Sequence, residues 1–328
     1  MKQEAVFQGK PVYRYTLQNS NGMELEALNY GAVITAVRFP EEEGKRNLVL
    51  AYDDLAEYEQ NPYYFGAVIG RTSGRTKGAV IDVDSTRYEL EANDGENHLH
   101  GGSRGLAHRF FQVEQLSGAL VFICTIPDKE DGYPGTLDVK VTYTLTDENE
   151  LHIDYEARAD RTTPVNLTNH SYFNLGGKTV LDHTLQLDAG RVFLLEEGSL
   201  PKEEASVDGH PVFDFQSPRR LGEGILQDHE QTTLVQGGID HPFLLNGNSP
   251  AAVLSSPETG RTMTVTTDQP AVVMYTGNQM NGTRSINGSR ETRHGAVCLE
   301  TQHPPDQTEA ILLPADKTYR SRTTYSFA

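Results

Sequence analysis

Cysteine is nearly absent from the chain, which has only two, Cys124 and Cys298, among 328 residues. So few cysteines, so far apart, exclude a fold held together by a framework of disulfides. The chain also lacks a run of about eighteen apolar residues, which excludes a membrane-spanning helix. Residues 1–10 lack the apolar core of a signal peptide. These absences predict a soluble protein of the cytoplasm.

Positive charge is also scarce, because 28 lysines and arginines face 46 aspartates and glutamates, for a net charge of -18. A chain this acidic is repelled by nucleic acids and by anionic membranes, so neither is expected as a partner. The same charge argues mildly against a phosphorylated substrate, although a local basic pocket remains open as an alternative. Composition therefore narrows the possible partners without naming one.

Long helical periodicity is a third feature that the sequence lacks. Short runs of alternating apolar and polar residues take its place, separated by glycine, proline, asparagine and aspartate. The clearest case is Thr136–Ala157, where two alternating runs flank a polar turn and predict a β-hairpin. Asn21-Gly22 predicts another tight turn, and Leu221–Gln227 is at most a short helix. The pattern predicts an all-β fold, one large single-domain β-sandwich over residues 1–328.

The densest polar motif is residues 164–177, which read P-V-N-L-T-N-H-S-Y-F-N-L-G-G. Its apolar residues alternate at Val165 and Leu167 and again at Phe173 and Leu175, which predicts a half-buried strand. The hydroxyls, amides and imidazole between them would then share the opposite face. Such a face suits a polar ligand, but an ordinary outer sheet face with a surface histidine explains this stretch alone equally well.

Two histidines, His98 and His100, have the spacing of a metal site, because side chains two apart on a strand point the same way. A site of the cupin type would need a carboxylate a few residues later, but glycines, a serine and an arginine follow instead. Paired-cysteine and H-E-x-x-H motifs are missing as well. The sequence thus predicts no metal, and Gly101-Gly102 is expected to allow a close approach of the backbone.

Three further segments carry groups that could act on a ligand. Residues 65–78 lack the signature of a phosphate-binding loop and predict instead a strand and a turn that present Arg71 or Arg75. Asp240 lies in a predicted turn, where it could simply cap its own backbone. Glu300 leaves an apolar strand and, judged alone, is expected to be solvated at the strand's end.

Taken together, these segments resemble the aldose 1-epimerase (galactose mutarotase) family. The resemblance rests on six stretches, spread in order over most of the chain. They are G-R-T-S-G-R (70–75), N-H-L-H-G-G (97–102), N-H-S-Y-F-N-L (169–175), G-I-D-H (238–241), Y-T-G-N (275–278) and L-E-T-Q-H-P-P-D (299–306). No single stretch is diagnostic, but six of them in this order are a strong signal of the family. The resemblance implies a galactose mutarotase-like β-sandwich whose concave face binds a pyranose, with no metal and no organic cofactor.

Carried over residue by residue, the resemblance makes Glu300 the general base and His170 the general acid. It assigns contact with the sugar to four residues: Arg75, His100, Asp240 and Tyr172. The chain departs from the family's pattern at three positions. Gly74 stands where some members have Asn, Pro242 where many have Asn, and Val273 where some have Gln. These departures bear on the preferred substrate more than on the reaction.

Opening a hemiacetal ring requires removal of the C1 hydroxyl proton and supply of a proton to the ring oxygen. One carboxylate and one imidazole can do this without a cofactor. Ionised Glu300 and protonated His170 would do so here, and an unperturbed imidazole pKa of about 6.5 suits a group that works in both directions. The predicted function is interconversion of the α and β anomers of free aldohexoses such as glucose and galactose.

Alternatives from other classes remain open at this point. A hexose-phosphate 1-epimerase would need free cations near the pocket, for which Arg71, Arg75 and Lys77 are candidates. A carbohydrate-binding protein without catalysis would usually have lost Glu300 or His170. Unpaired edge strands could make a dimer, so the sequence leaves both a monomer and a homodimer open.

Overall fold

The computed structural model describes residues 2–305 and 307–328. Met1, where the predicted domain begins, and Asp306, the last residue of the sixth motif, lie outside the described residues.

The described residues form thirty strands, of which fifteen lie in the first half of the chain. These are β1 (Lys2–Phe7), β2 (Lys10–Gln18), β3 (Glu24–Leu28), β4 (Ile34–Pro40), β5 (Lys45–Asn47), β6 (Val68–Ile69), β7 (Arg75–Thr76), β8 (Val80–Val83), β9 (Thr86–Glu89), β10 (His98–Leu99), β11 (Gln112–Leu116), β12 (Ala119–Ile126), β13 (Leu137–Leu145), β14 (Glu150–Ala159) and β15 (Thr163–Pro164).

The second half continues with strands of similar length. They are β16 (Thr168–Asn169), β17 (Tyr172–Phe173), β18 (Thr184–Leu187), β19 (Ala189–Glu196), β20 (Leu200–Ser206), β21 (Arg219–Arg220), β22 (Asp240–Leu245), β23 (Ala252–Ser255), β24 (Thr262–Thr267), β25 (Ala271–Tyr275), β26 (Ser285–Ile286), β27 (Ser289–Arg290), β28 (Val297–Gln302), β29 (Leu312–Leu313) and β30 (Tyr319–Phe327).

Helices are short and few in the described residues. Two are α-helices, α1 (Leu221–Ile225) and α2 (Glu230–Leu234). Seven are 3-10 turns: Leu55–Glu59, Lys77–Ala79, Leu106–His108, Glu130–Gly132, Val207–Gly209, Pro211–Phe213 and Thr308–Ile311. None of the helices in residues 2–305 and 307–328 has the length and apolarity needed to cross a membrane. The short helix predicted near residue 221 is confirmed as α1.

A nine-stranded sheet, in the order β11-β12-β13-β14-β30-β24-β23-β18-β21, forms one layer of the molecule. Within this sheet β13 and β14 pair antiparallel from Leu137 opposite Ala159 to Leu145 opposite Leu151. On β13 every second side chain is buried, as the alternating sequence requires for a strand with one face on the core. The predicted hairpin over 136–157 is therefore confirmed.

A six-stranded sheet, in the order β17-β28-β25-β22-β19-β20, packs face to face on the nine-stranded sheet. The ring of Phe173 on β17 meets that of Tyr325 on β30 at 4.9 Å between centroids. The Tyr325 hydroxyl donates a hydrogen bond of 3.3 Å to the carbonyl of Leu299 on β28. An apolar core fills the space between the two layers, and the predicted all-β sandwich is confirmed.

A five-stranded sheet, β1-β2-β3-β4-β5, precedes both layers in the chain. Its β2 and β3 pair from Gln18 opposite Glu24, so the chain reverses around Asn21-Gly22 as predicted. Gly22 adopts a φ of +83°, a conformation that glycine reaches without steric cost. Side chains of this sheet join a second apolar cluster that lies against Tyr172 of β17.

The prediction of one half-buried strand over 164–177 is wrong. The stretch is cut into β15, β16 and β17, each two residues long, and residues 165–173 are buried on both sides. Three of its asparagines, Asn166, Asn169 and Asn174, bind backbone groups of other segments instead of sharing one exposed face. For example, the Asn169 amide donates to the Gly66 carbonyl at 3.0 Å. Alternation along one segment cannot reveal that other segments cover its polar side.

Candidate active site

The two faces of strand β28 point to different parts of the molecule. Val297 and Leu299 belong to the core between the sheets, and the Thr301 hydroxyl meets the Thr323 hydroxyl of β30. Side chains alternate along a strand, so the even-numbered residues point to the opposite face. These are Cys298, Glu300 and Gln302.

The register of the six-stranded sheet brings further residues to this opposite face. Cys298 lies across from Tyr172 on one side and from Tyr275 on the other, and Tyr275 lies across from Asp240. In the neighbouring row Glu300 lies across from Val273, which lies across from Pro242. Residues from four strands therefore converge above one patch of the sheet.

A cavity of about 300 Å³ opens over this patch. Six of the residues that line it are those the sequence predicts for the site: Arg75, His100, His170, Tyr172, Asp240 and Glu300. The structure thus brings all six together, although they come from widely separated parts of the chain. The three departures from the family pattern line the same cavity: Gly74, Pro242 and Val273.

His170 sits in the corner between β16 and β17. Its backbone N–H donates to the Ala67 carbonyl at 2.9 Å, and its own carbonyl accepts from the Gly66 N–H at 3.0 Å. The Tyr172 ring lies against the imidazole, with centroids 5.0 Å apart and planes inclined by 31°. Backbone and ring are both held, so the imidazole has a fixed position.

The imidazole of His170 lies between two side chains of β28. Its Nε2 is 3.4 Å from Oε1 of Glu300, and its Nδ1 is 3.6 Å from Sγ of Cys298. The Nε2 edge of the ring therefore faces Glu300, and the Nδ1 edge faces Cys298.

Burial shifts the pKa values of His170 and Glu300 in opposite directions. It lowers the pKa of His170 to about 4. It raises the pKa of Glu300 well above its ordinary value; the negative charge of Asp240 adds to this, and the positive charge of Arg75 opposes it. Both shifts favour the uncharged form, as expected for groups taken out of water. An unperturbed histidine pKa, assumed from the sequence, does not apply here.

Glu300 is 3% exposed, so the expectation of a solvated carboxylate at the end of a strand is wrong. It belongs to β28 itself and points into the cavity. Asp240 also differs from expectation, because it begins strand β22 rather than lying in a turn. Strands on either side enclose both residues, and a local sequence pattern does not show these neighbours.

Arg75 forms the charged wall of the cavity. Its Nε lies 2.7 Å from Oδ2 of Asp94, and its NH1 lies 3.7 Å from Oδ2 of Asp240. Burial raises the pKa of Asp240, and the Arg75 cation partly reverses that effect. Two carboxylates thus share one guanidinium, which holds its donors in place for a ligand.

His100 and His98 do not point the same way, contrary to the expectation of a common strand. Only His98 lies in β10; His100 follows it with a φ of +54°. His98 binds Tyr133 at 2.7 Å through Nε2 and the Glu91 carbonyl at 2.7 Å through Nδ1. Both ring nitrogens of His98 are thus engaged with groups of neighbouring loops, so His98 and His100 do not form a metal site together.

His100 turns toward the cavity instead. Its Nδ1 accepts a hydrogen bond of 3.2 Å from the Gly74 N–H, which leaves the hydrogen of the neutral ring on Nε2. Its ring meets those of Tyr64 and His170 edge to face, at 4.8 and 5.4 Å between centroids. Burial lowers the pKa of His100 well below its ordinary value. His100 is therefore a neutral hydrogen-bond donor.

Sequence reasoning missed several residues that line the cavity. They are Tyr64, Asp94, Tyr275 and Gln302. Tyr275 and Gln302 lie within quoted motifs, and their even spacing from residues already chosen could have found them. Asp94 and Tyr64 lie in loops, where no local pattern predicts which way a side chain turns.

Comparison with known proteins shows the family of the chain. The model of the aldose 1-epimerase family matches residues 13–326. Galactose mutarotase of Bos taurus is 37% identical over 331 residues, which cover 97% of this chain and 94% of the relative. Aldose 1-epimerase of Escherichia coli strain K12 is 32% identical over 335 residues, covering 97% and 96%. A crystal structure of galactose 1-epimerase from Lactobacillus acidophilus superposes with a TM-score of 0.91 at 32% identity, covering 100% and 97%.

The fold and the matches define an isomerase of sugars built on a mutarotase-like sandwich. More narrowly, the chain belongs to the aldose 1-epimerase family, and its reaction interconverts the anomers of an aldose. The resemblance stated from the six motifs is confirmed.

Proposed function

We propose that the substrate is a free aldohexopyranose such as galactose or glucose, with Glu300 as general base and His170 as general acid. The observation that carries the proposal is the distance of 3.4 Å between these two side chains at one wall of the cavity. Four residues would contact the sugar or position the groups around it: Arg75, His100, Asp240 and Tyr172. A cavity of about 300 Å³ is at the small end for ligand sites and suits a monosaccharide.

Ring opening then proceeds by two proton transfers. The Glu300 carboxylate accepts the C1 hydroxyl proton as the C1–O5 bond breaks, and the electron pair of that bond goes to O5. Protonated Nε2 of His170 gives O5 its proton. The aldehyde rotates about the C1–C2 bond, and the same transfers in reverse close the ring on the other face. Protons and electrons balance over the cycle, so the reaction draws on no cofactor.

The neighbouring groups support these transfers in specific ways. Neutral His100 offers its Nε2–H, which can steady the negative charge that develops on O5 or hold a hydroxyl. Asp240 and Arg75 offer charge-assisted hydrogen bonds to ring hydroxyls. Tyr172 packs on the His170 ring and fixes its orientation.

The cations near the cavity argue against a hexose phosphate. Arg75, the one lysine or arginine among the cavity's described lining residues, already lies between two carboxylates. Arg71 is 1% exposed and donates to the Pro134 and Gly135 carbonyls. Lys77 pairs with Glu196 at 2.6 Å. Arg71 and Lys77 are thus engaged outside the cavity, and the charge of Arg75 is already balanced by carboxylates.

We also propose a cytoplasmic protein that acts as a monomer or homodimer, without nucleic acid or membrane as partner. The net charge of -18 supports the last two points.

The test is polarimetry on protein dialysed against a chelator. Freshly dissolved α-D-galactose and, separately, α-D-glucose would be followed with the wild type, Glu300→Gln and His170→Asn. We expect acceleration by the wild type and a loss of about 10²–10⁴-fold in each variant.

Unchanged rotation kinetics with both sugars would contradict the proposed substrate. Sugar binding by calorimetry without any acceleration would favour a carbohydrate-binding protein. Acceleration that is lost on chelation and returns with a metal would contradict the proposed mechanism.

A further inference from the structure

Gln302 is a fully buried polar side chain of the cavity whose amide makes no hydrogen bond within the described residues. It is 0% exposed, and neither its Oε1 nor its Nε2 has a hydrogen-bond partner among the described residues. It also lines the cavity, two residues beyond Glu300 on the same face of β28. Buried amides are normally hydrogen-bonded, because an unpaired one loses its contacts with water without replacement.

Other buried amides nearby follow that rule. Asn169 donates to the Gly66 carbonyl and accepts from the Ser171 hydroxyl at 2.6 Å. Asn166 donates to the carbonyl of His303 and accepts from its N–H, both at 3.0 Å. The backbone immediately after Gln302 is therefore clamped, while the Gln302 amide itself is left over. A ligand in the cavity is the natural partner for it.

The order of residues along β28 indicates which part of a sugar this amide would meet. The His170 ring bridges Cys298 and Glu300, so it lies on the Cys298 side of the base. Gln302 lies on the other side of Glu300, roughly 7 Å further along the strand. The three positions run in sequence from acid to base to amide.

A pyranose fits this order in one direction. Its C1 has two ring neighbours, the ring oxygen O5 and carbon C2. If O5 lies toward His170 and the C1 hydroxyl toward Glu300, C2 and its hydroxyl lie on the side away from His170. That side is where Gln302 points into the cavity.

We propose that Gln302 binds the C2 hydroxyl of the sugar and is a specificity-determining residue of this site. The inference rests on the proposed function, because that function places C1 and O5. An amide offers both a donor and an acceptor, so it can take and give a hydrogen bond with one hydroxyl. The neighbouring wall offers no competitor, since Ala271 and Val273 lie opposite this end of the strand.

The contact has a consequence for the reaction. In the open form the aldehyde turns about the C1–C2 bond. A hydrogen bond at the C2 hydroxyl holds C2 still, so that only C1 and its oxygen move between the two faces. The bond is thus kept through the step that inverts the anomeric centre.

The test is a cycle that removes the amide and the hydroxyl separately and together. kcat/KM is measured by polarimetry for D-galactose and 2-deoxy-D-galactose with the wild type and Gln302→Leu. In the wild type we expect the 2-deoxy sugar to react about 10-fold less efficiently than galactose, after correction for its uncatalysed rate. In Gln302→Leu the two sugars are expected to agree within about 2-fold, because the hydroxyl has lost its partner.

The control sugar is 6-deoxy-D-galactose, for which Gln302→Leu is expected to lower kcat/KM by the same factor as for galactose. The unliganded variant should unfold at the same temperature or higher, since leucine removes an unpaired amide from an apolar wall. Should leucine prevent folding, the same cycle is run with Gln302→Met.

Each result has one meaning. Equal losses for galactose and its 2-deoxy analogue in the variant would overturn the contact with the C2 hydroxyl. A clear fall in unfolding temperature in both Gln302→Leu and Gln302→Met would overturn it too, since it would show that the amide serves the fold. A wild type that accelerates none of the three sugars, by contrast, would overturn the proposed substrate itself.

Discussion

In the proposed reaction, the carboxyl of Glu300 and the imidazole of His170 exchange protons with a sugar, although burial disfavours charge on either group. The working pair carries one proton in total, because one group must accept and the other must give. Burial raises the pKa of Glu300 and lowers that of His170, so at rest this proton lies on Glu300. The reactive arrangement, with the proton on His170, is a minor form of the same protonation state.

A bell-shaped dependence of kcat/KM on pH follows from this state. Activity falls at low pH when the pair takes up a second proton, and at high pH when it loses the only one. The pair titrates with two macroscopic pKa values, and the carboxyl dominates the upper one because its pKa is the raised one.

The first prediction concerns the position of the basic limb of that profile. Asp240→Asn is expected to move the limb to lower pH, since the Asp240 charge raises the pKa of Glu300. Arg75→Gln is expected to move it to higher pH, since the Arg75 charge lowers the same pKa. Each shift should be on the order of one pH unit.

Initial rates across the pH range give the position of the limb. Both substitutions are also expected to weaken sugar binding, so the absolute rate is not the readout. Limbs that move in the same direction in the two variants would contradict the assignment to Glu300.

At the scale of elements, prediction from sequence succeeds where local pattern and tertiary contact agree. The hairpin of β13 and β14 was readable because its alternation is regular and its partners are adjacent in sequence. The 164–177 stretch was misread because segments far away in the chain cover its polar side. His100 was misplaced because one residue with a positive φ turns the chain out of the strand. The six site residues were found through the motifs, not through the geometry of any element.

A second prediction concerns the loop that carries His100. Gly101 has a φ of +86°, and a Cβ there would lie 2.1 Å from the Gly70 carbonyl oxygen. Gly101→Ala is therefore expected to lower the free energy of unfolding by about 3 kcal/mol and to displace His100, with a loss of activity. Denaturant unfolding and polarimetry measure the two effects.

Gly247→Ala is the matched control. Gly247 has the same φ of +86°, but nothing lies within 4 Å of the position of its added Cβ. The control should lose only about 1 kcal/mol, from backbone strain, and keep its activity. Equal effects of the two substitutions would show that contact with Gly70 does not matter.

For the whole molecule, composition and alternation were enough to predict an all-β sandwich, because two layers with one buried face each require that pattern. The contacts that join the two layers could not be predicted from the sequence. Tyr325 bonds to Leu299 from the opposite sheet, and no local pattern pairs residues of different sheets. The cavity likewise depends on the register of four strands, which is set by the packing of the complete chain.

A third prediction concerns stability at acid pH. Burial lowers the pKa of His183 to about 4, and its Nε2 accepts from the Leu175 N–H at 3.1 Å. A group with a lowered pKa stabilises the fold above its unfolded value of about 6.5, and this stability is lost as pH falls toward 4. His183→Gln should remove that dependence, because an amide oxygen can still accept the hydrogen bond.

The measurement is the free energy of unfolding of both proteins from pH 7.5 to pH 4.5. The wild type is expected to lose about 2–3 kcal/mol more than the variant over this range. Parallel curves would contradict the assignment. His170 and His241, whose pKa values burial lowers to about 4 and about 3, act in the same direction in both proteins.

The position of β30 sets a condition on how the protein folds. This strand follows all the others along the described chain, yet it lies inside the nine-stranded sheet, paired with β14 on one side and β24 on the other. Without residues 319–327 the nine-stranded sheet is divided into two parts with open edges and no strand to join them. The sheet against which Glu300 and His170 are supported can therefore assemble only when residues 319–327 are available, so folding of this site rests on contacts distant in sequence.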